Sequence, residues 1–130
     1  MKYKIIQTDH APSAIGPYSQ GIASPPWLFV SGQIGIKPET GELAGNDFAS
    51  QARQSLENLR QIVLAGGCEL TDVLSVDVFL TNIGNFAEFN KIYQEYFSEH
   101  RPARAVIGVK ELPKGAIIEI RCIANLGIGN

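Results

Sequence analysis

The side chains most clearly placed to act together lie in the last third of this 130-residue chain. The segments ARAVIGVK and AIIEIRCIANL both alternate, with Ala105, Ile107 and Val109 apolar in the first and Ile118, Ile120 and Cys122 apolar in the second. Pro113 and Gly115 in the intervening ELPKG are turn residues, so the two segments read as strands of a hairpin. A register with Ile107 opposite Ile118 gathers the apolar positions on one face and puts Arg104, Val106, Glu119 and Arg121 on the other. Arg104 then becomes the diagonal neighbour of Glu119, at about 7 to 8 Å between backbones. A guanidinium is a planar fork for a carboxylate, and a glutamate can take a proton from water. The same two residues also make an ordinary cross-strand ion pair on a solvated face, and alternation alone leaves both readings open.

Other reactive types are isolated. Cys68 and Cys122 are far apart in sequence and form no CxxC motif, so they read as buried free thiols. His10 and His100 stand alone as surface or loop imidazoles, and no metal site is expected.

The elements that position these residues follow from hydrophobic period. WLFVSGQIGI at 27–36 is a strand entered after Pro25 and Pro26, with GQIG hinting at a bulge or bend. After the turn KPETGEL, the residues Phe48, Ala52, Leu56, Leu59, Ile62 and Val63 recur at helical spacing, with Asn46 or Asp47 as the cap and Gly66–Gly67 as the end. VLSVDVFLT at 73–81 alternates, placing Leu74, Val76, Val78 and Leu80 on one face and Ser75 and Asp77 on the other. A second helix is expected over about 85 to 99, with Phe86, Phe89, Asn90, Tyr93, Tyr96 and Phe97 as a stripe ahead of Pro102. The order predicts one α+β domain over 1–130, a single mixed sheet with two helices packed on one face. Its other face, bearing Trp27, Phe29 or Phe79 according to register, then needs cover.

Composition narrows the function classes. With 45% hydrophobic and 18% charged residues the chain has globular composition, which sets disorder aside. A formal net charge of −2 argues against nucleic acid as a partner, because no global excess of Lys and Arg is present to displace counterions. The apolar run near the N-terminus is too short for a signal, and nothing approaches the roughly 20 apolar residues of a membrane span, so a cytoplasmic location without membrane partner is expected.

Several quoted segments, from HAPSAIGPYSQG at 10–21 through VSGQIG and RPARAV to LPKGAIIEIRCIA, match the RidA family, also called YjgF, in order and spacing. The chain resembles that family along nearly its whole length. The resemblance implies a chorismate-mutase-like fold, a homotrimer with sites in clefts between subunits, and deamination of 2-iminobutanoate and 2-iminopropanoate to 2-keto acids and ammonia. Such imines arise from pyridoxal-phosphate enzymes, and their hydrolysis implies no metal and no organic cofactor. Carried over by motif, Arg104 would bind the substrate carboxylate, Glu119 would direct water, and Tyr18 of IGPY would complete the catalytic set. Ser31, Asn90 and the backbone at Val106 would line the cleft. The match departs at Val106, where many members carry cysteine, so no thiol is expected to act there. Two other readings accompany the resemblance: a carboxylate-binding regulator without turnover, and the endoribonuclease or translation-inhibitor activity with which the family is also labelled. The slightly acidic chain offers little for the latter, lacking an evident His or Lys acid/base pair in a basic groove.

Overall fold

The computed structural model describes residues 2–127. Six strands form one sheet in the order β1-β2-β3-β6-β4-β5. They are β1 (Lys4–Ile6), β2 (Gly21–Ser24), β3 (Trp27–Ile34), β4 (Val73–Leu80), β5 (Ala103–Gly108) and β6 (Ile118–Asn125). All neighbours are antiparallel except β4 and β5, which run parallel, so the sheet is mixed as expected. Helices α1 (Phe48–Ala65) and α2 (Phe86–Tyr93) pack on one face.

Helix α1 begins where Asp47 accepts the backbone N–H of Ser50 and ends at Gly66, whose N–H returns to the Ile62 carbonyl. Leu56, Leu59, Ile62 and Val63 are fully or almost fully buried against β3 and β6, which makes this helix the main cover of the sheet. Two buried amides on the same helix anchor loops. Asn58 Nδ2 donates to the carbonyls of Ile34 and Ile36, while Gln51 bonds Gly45 and Ile117. Each satisfies backbone groups that would otherwise be buried without partners.

Three expectations need correction. The second helix stops at Tyr93 rather than near 99. Beyond it the chain tightens into i→i−3 turns, with Glu95 N–H on Ile92 O and Tyr96 N–H on Tyr93 O, which keep Phe97 buried without further helix. Phe86, included in the expected stripe, is 42% exposed. In β4 the register shifts between Val73 and Ser75, so Val73 is buried and Leu74 is turned outward.

The largest correction concerns the last two strands, which are not a hairpin. β4 lies between them, parallel to β5 and antiparallel to β6. The connection crosses the end of β4, where Val109 N–H bonds Leu80 O and Thr81 N–H bonds Ile117 O. The strands that can bury an unbroken apolar row take the interior, and β5, exposed at most positions, takes an edge. Residues paired directly across strands share a face. Val76 pairs with Arg104 on one side and Cys122 on the other, whereas Phe79 pairs with Ile107 and Glu119. Arg104 and Val106 therefore lie on the helix-bearing face, and Ala105 and Ile107 on the open face with Glu119 and Arg121. The expected hairpin pairing was displaced by an intervening strand and by one residue, and a one-residue slip inverts every side chain of a strand.

Gly35 tests how closely α1 sits on the end of β3. A Cβ there would lie 2.5 Å from the Gln51 carbonyl oxygen and 2.7 Å from its Cα, both backbone atoms of the helix. Gly35→Ala should destabilise by about 1 to 3 kcal/mol through overpacking, seen as a lower midpoint in thermal unfolding. An unchanged midpoint would show that the helix shifts without penalty.

Candidate functional site

Glu119 comes first because its position is the most constrained. On central strand β6, Ile118 and Ile120 point into the core, so Glu119 must point to the open face. There it lies over the β-bulge that shifts register between Val30 and Gln33. Gly32 sits in this bulge, and a Cβ on it would fall 2.5 Å from Glu119 Oε2, so glycine leaves room for the carboxylate in this position. Half-buried in this position, Glu119 has its pKa pushed above the ordinary glutamate value by desolvation, with Arg121 offsetting part of the rise. Arg121 itself donates to Asp77 at 3.0 Å and lies over the Phe79 ring.

The loop before β2 brings Tyr18 to the same place. Gly16 has φ of +120°, a region that side-chain-bearing residues rarely adopt, and Tyr18 N–H closes onto its carbonyl at 2.9 Å. Gln20, 3% exposed, fastens this loop from inside: its Oε1 accepts Thr8 N–H at 2.7 Å, and its Nε2 donates to the carbonyls of Thr8, Ala11 and Pro12. Ser31 joins the loop to the bulge, its hydroxyl donating to Ser19 O and its N–H to Gln20 O. Two cavities meet at Glu119 and Tyr18. One, of about 580 Å³, runs between Ile15, Ile34, Ile36 and Pro113. The other, of about 500 Å³, is bounded by Ser31, Phe29 and Arg121.

Arg104 and Asn90 lie elsewhere. On the helix-bearing side they line a separate groove of about 370 Å³ with Tyr93, Gln94 and Arg101. The Arg104 guanidinium is 4.8 Å from the Tyr93 ring centroid and 5.8 Å from those of Phe86 and Phe89, a cationic group resting on aromatic faces. Burial pushes the Tyr93 hydroxyl up to about 12, although Arg104 acts in the opposite sense, so it stays protonated at neutral pH. Val106 is half-buried against the core. Of the residues singled out in the sequence, then, Tyr18, Ser31 and Glu119 converge, Arg104 and Asn90 converge separately, and the sheet divides the two sets.

Cys68 and Cys122 are free and buried, and burial pushes the Cys122 thiol up to about 12, which leaves it a poor nucleophile. His100 faces the Val73 carbonyl and His10 is exposed. Among the described residues no three His, Cys, Asp or Glu side chains cluster as metal ligands, and no helix is long and apolar enough to cross a membrane. Sequence reasoning did not assign a task to Gln20, Gly32 or Arg101. Gln20 and Gly32 lay within motifs already noted, but their tasks depend on contacts between distant segments.

Comparison with known proteins adds independent findings. Residues 8–126 match the family described as Endoribonuclease L-PSP. A RutC family protein of Pyrococcus horikoshii is 47% identical over 121 residues, covering 93% of this chain and 96% of that one. The 2-iminobutanoate/2-iminopropanoate deaminase of Homo sapiens is 43% identical over 124 residues, covering 95% and 90% respectively. Among solved structures, Escherichia coli TdcF with bound serine superposes with a TM-score of 0.90 at 44% identity, covering 94% of this chain and 98% of that one.

The raised pKa of Glu119 makes a signed prediction for stability. Because the folded state holds this proton more tightly than the unfolded chain, the carboxylate's contribution is favourable in acid and is lost as pH rises through the folded pKa. Glu119→Gln should therefore raise the melting temperature at pH 7, and the gain should vanish below the ordinary glutamate pKa. A gain independent of pH would mean that the amide acts through packing alone.

Proposed function

This chain belongs to the Endoribonuclease L-PSP family, also called YjgF or RidA, and on that premise we propose that it is a hydrolase that deaminates 2-imino acids such as 2-iminobutanoate and 2-iminopropanoate. The observation that carries this reading is the half-buried Glu119 held over Gly32 at the junction of two cavities, beside Tyr18, with its proton affinity raised by burial. A carboxylate whose proton affinity is raised in this way suits a group that must accept and then return a proton. The deaminase name of the human relative supports the same chemistry.

The reaction needs only positioning and proton transfer. Arg104 holds the planar carboxylate of the substrate by charge-assisted hydrogen bonds, its guanidinium supported by the aromatic rings around it. Glu119 orients a water and takes its proton as the oxygen bonds to the C=N carbon. That proton passes to nitrogen and gives a carbinolamine; Glu119 then moves the carbinolamine O–H proton to the amine as the C–N bond breaks, so that the C=O of the keto acid forms and ammonia leaves. Tyr18 bonds the substrate or carries a proton, while Ser31, Asn90 and the Val106 backbone line the cleft. No thiol is given a part, since Val106 stands where the family resemblance implies cysteine in many members and both cysteines of this chain are buried.

Arg104 and Glu119 are on opposite faces of one sheet, so the reading places them together only between copies. A homotrimer with shared clefts supplies that arrangement. Its motive is the open face, where Ile5, Ile22, Phe29 and Ile123 stand side by side across four strands, with Phe29 43% and Ile123 37% exposed. The endoribonuclease reading fits less well, because neither histidine is near the Glu119 cavities.

Hydrolysis of freshly generated 2-iminobutanoate, in competition with semicarbazide, tests the proposal. Glu119→Gln should lower the rate by about 10² to 10⁴ fold while retaining keto-acid binding. Arg104→Lys should lower kcat/KM by roughly 10 to 150 fold, the loss of one of two charge-assisted bonds. Sedimentation equilibrium should give a trimer at micromolar concentration. An inert parent protein, or a Glu119→Gln variant as fast as the parent, would overturn the assignment.

A further inference from the structure

Arg101 takes no part in the chemistry above, yet it opens into the same groove as Arg104 and Asn90. On one strand, residues three apart point to opposite faces. Because β5 begins only at Ala103, the non-strand backbone before it turns Arg101 back to the Arg104 side. Pro102 between them has a fixed φ and stiffens that turn. No Asp or Glu lines the groove, and neither guanidinium makes a salt bridge among the described residues. Two unpaired cations thus share one depression in a chain whose formal net charge is −2. A ligand with two negative charges pairs with both, where a single charge pairs with only one.

The two arginines present different geometry. The Arg104 guanidinium carbon lies 4.8 Å from the Tyr93 ring centroid, and its N–H fork offers paired donors to a carboxylate. Arg101 is exposed, and its fork is free to meet a second group. We infer that Arg101 determines substrate specificity by binding a second carboxylate, so that dicarboxylic 2-imino acids, of the kind derived from glutamate or aspartate, are the preferred substrate class. This rests on the deaminase reading and extends it. The first carboxylate lies on Arg104 and the distal one on Arg101, in a groove that Asn90 also lines.

The test uses the full chain with 2-iminoglutarate and 2-iminobutanoate, each generated in place by an amino-acid oxidase and scored against a semicarbazide trap. Titrations with 2-oxoglutarate and 2-oxobutanoate run beside it. The parent should favour 2-iminoglutarate, and Arg101→Gln should reduce kcat/KM for it on the order of tenfold more than for 2-iminobutanoate. The loss should fall mainly in KM, with Arg101→Lys recovering part of it by charge alone. Equal losses for the two substrates, or a parent without preference for the dicarboxylate, would overturn the inference while leaving the deaminase reading intact. If the parent hydrolyses neither imine, the deaminase reading falls and binding decides: a selective loss of 2-oxoglutarate affinity in Arg101→Gln supports the second carboxylate site, and equal affinity for parent and variant overturns it.

Discussion

Strand β6 is hydrogen-bonded on both sides, to β3 and to β4, and buries Ile118, Ile120, Cys122 and Ala124 beneath the helices at 3% exposure or less. That row leaves the intervening residues no choice of side, because successive side chains on a strand alternate. Glu119, Arg121 and Ile123 consequently face away from the helices, whatever their own chemistry prefers. A carboxylate has thereby been set on a partly apolar sheet surface, where it is partly desolvated and holds its proton more tightly. The proton affinity that suits Glu119 to acid/base work is a by-product of the packing of its two neighbours.

Around that fixed point the structure makes space. The bulge in β3 moves the chain outward by one residue, and Gly32 within it lacks the atom that would collide with Oε2. The loop carrying Tyr18 has no regular structure of its own to hold it, so its position depends on the Gln20 amide and on the Ser31 bonds to Ser19 and Gln20. A buried, fully bonded amide is a directional fastener, costly to disrupt because several backbone groups would lose partners together. The elements that shape the cavity are therefore also among those that satisfy the backbone beneath it.

The second cluster obeys a different constraint. An edge strand has only one bonded neighbour, and charged side chains on it discourage further pairing. Arg104 occupies such a strand without isolation from the fold, since α2 presents Phe86, Phe89 and Tyr93 to its guanidinium. Aromatic support limits the conformations open to a long side chain, which lowers the entropy lost when it binds a ligand. The apolar row Ile5, Ile22, Phe29 and Ile123 on the opposite side has no such cover among the described residues. Surface to be covered on one face and a carboxylate-binding group at one edge are what the proposed shared cleft requires.

Local periodicity was enough for much of this. Helical spacing with Asp47 and Gly66 at its ends located α1, the GQIG segment announced the β3 bulge, and alternation assigned β6 its buried and exposed faces. The family was legible in matched segments; of the site residues they named, Glu119 and Tyr18 line the same cavities and Arg104 a separate groove. Period alone overestimated α2, because an aromatic stripe can continue through tight turns after helical hydrogen bonding stops. It could not order the strands either. A nine-residue connection permits a hairpin as readily as a crossing over one intervening strand, and the choice depends on which partner buries more apolar surface, a property of the assembled sheet. The sequence by itself determined which faces of β6 and α1 are apolar, since that information lies in the spacing of neighbouring residues. Only the tertiary structure decided that Arg104 and Glu119 lie on opposite sides of the sheet, because the face a strand presents depends on its partner and register.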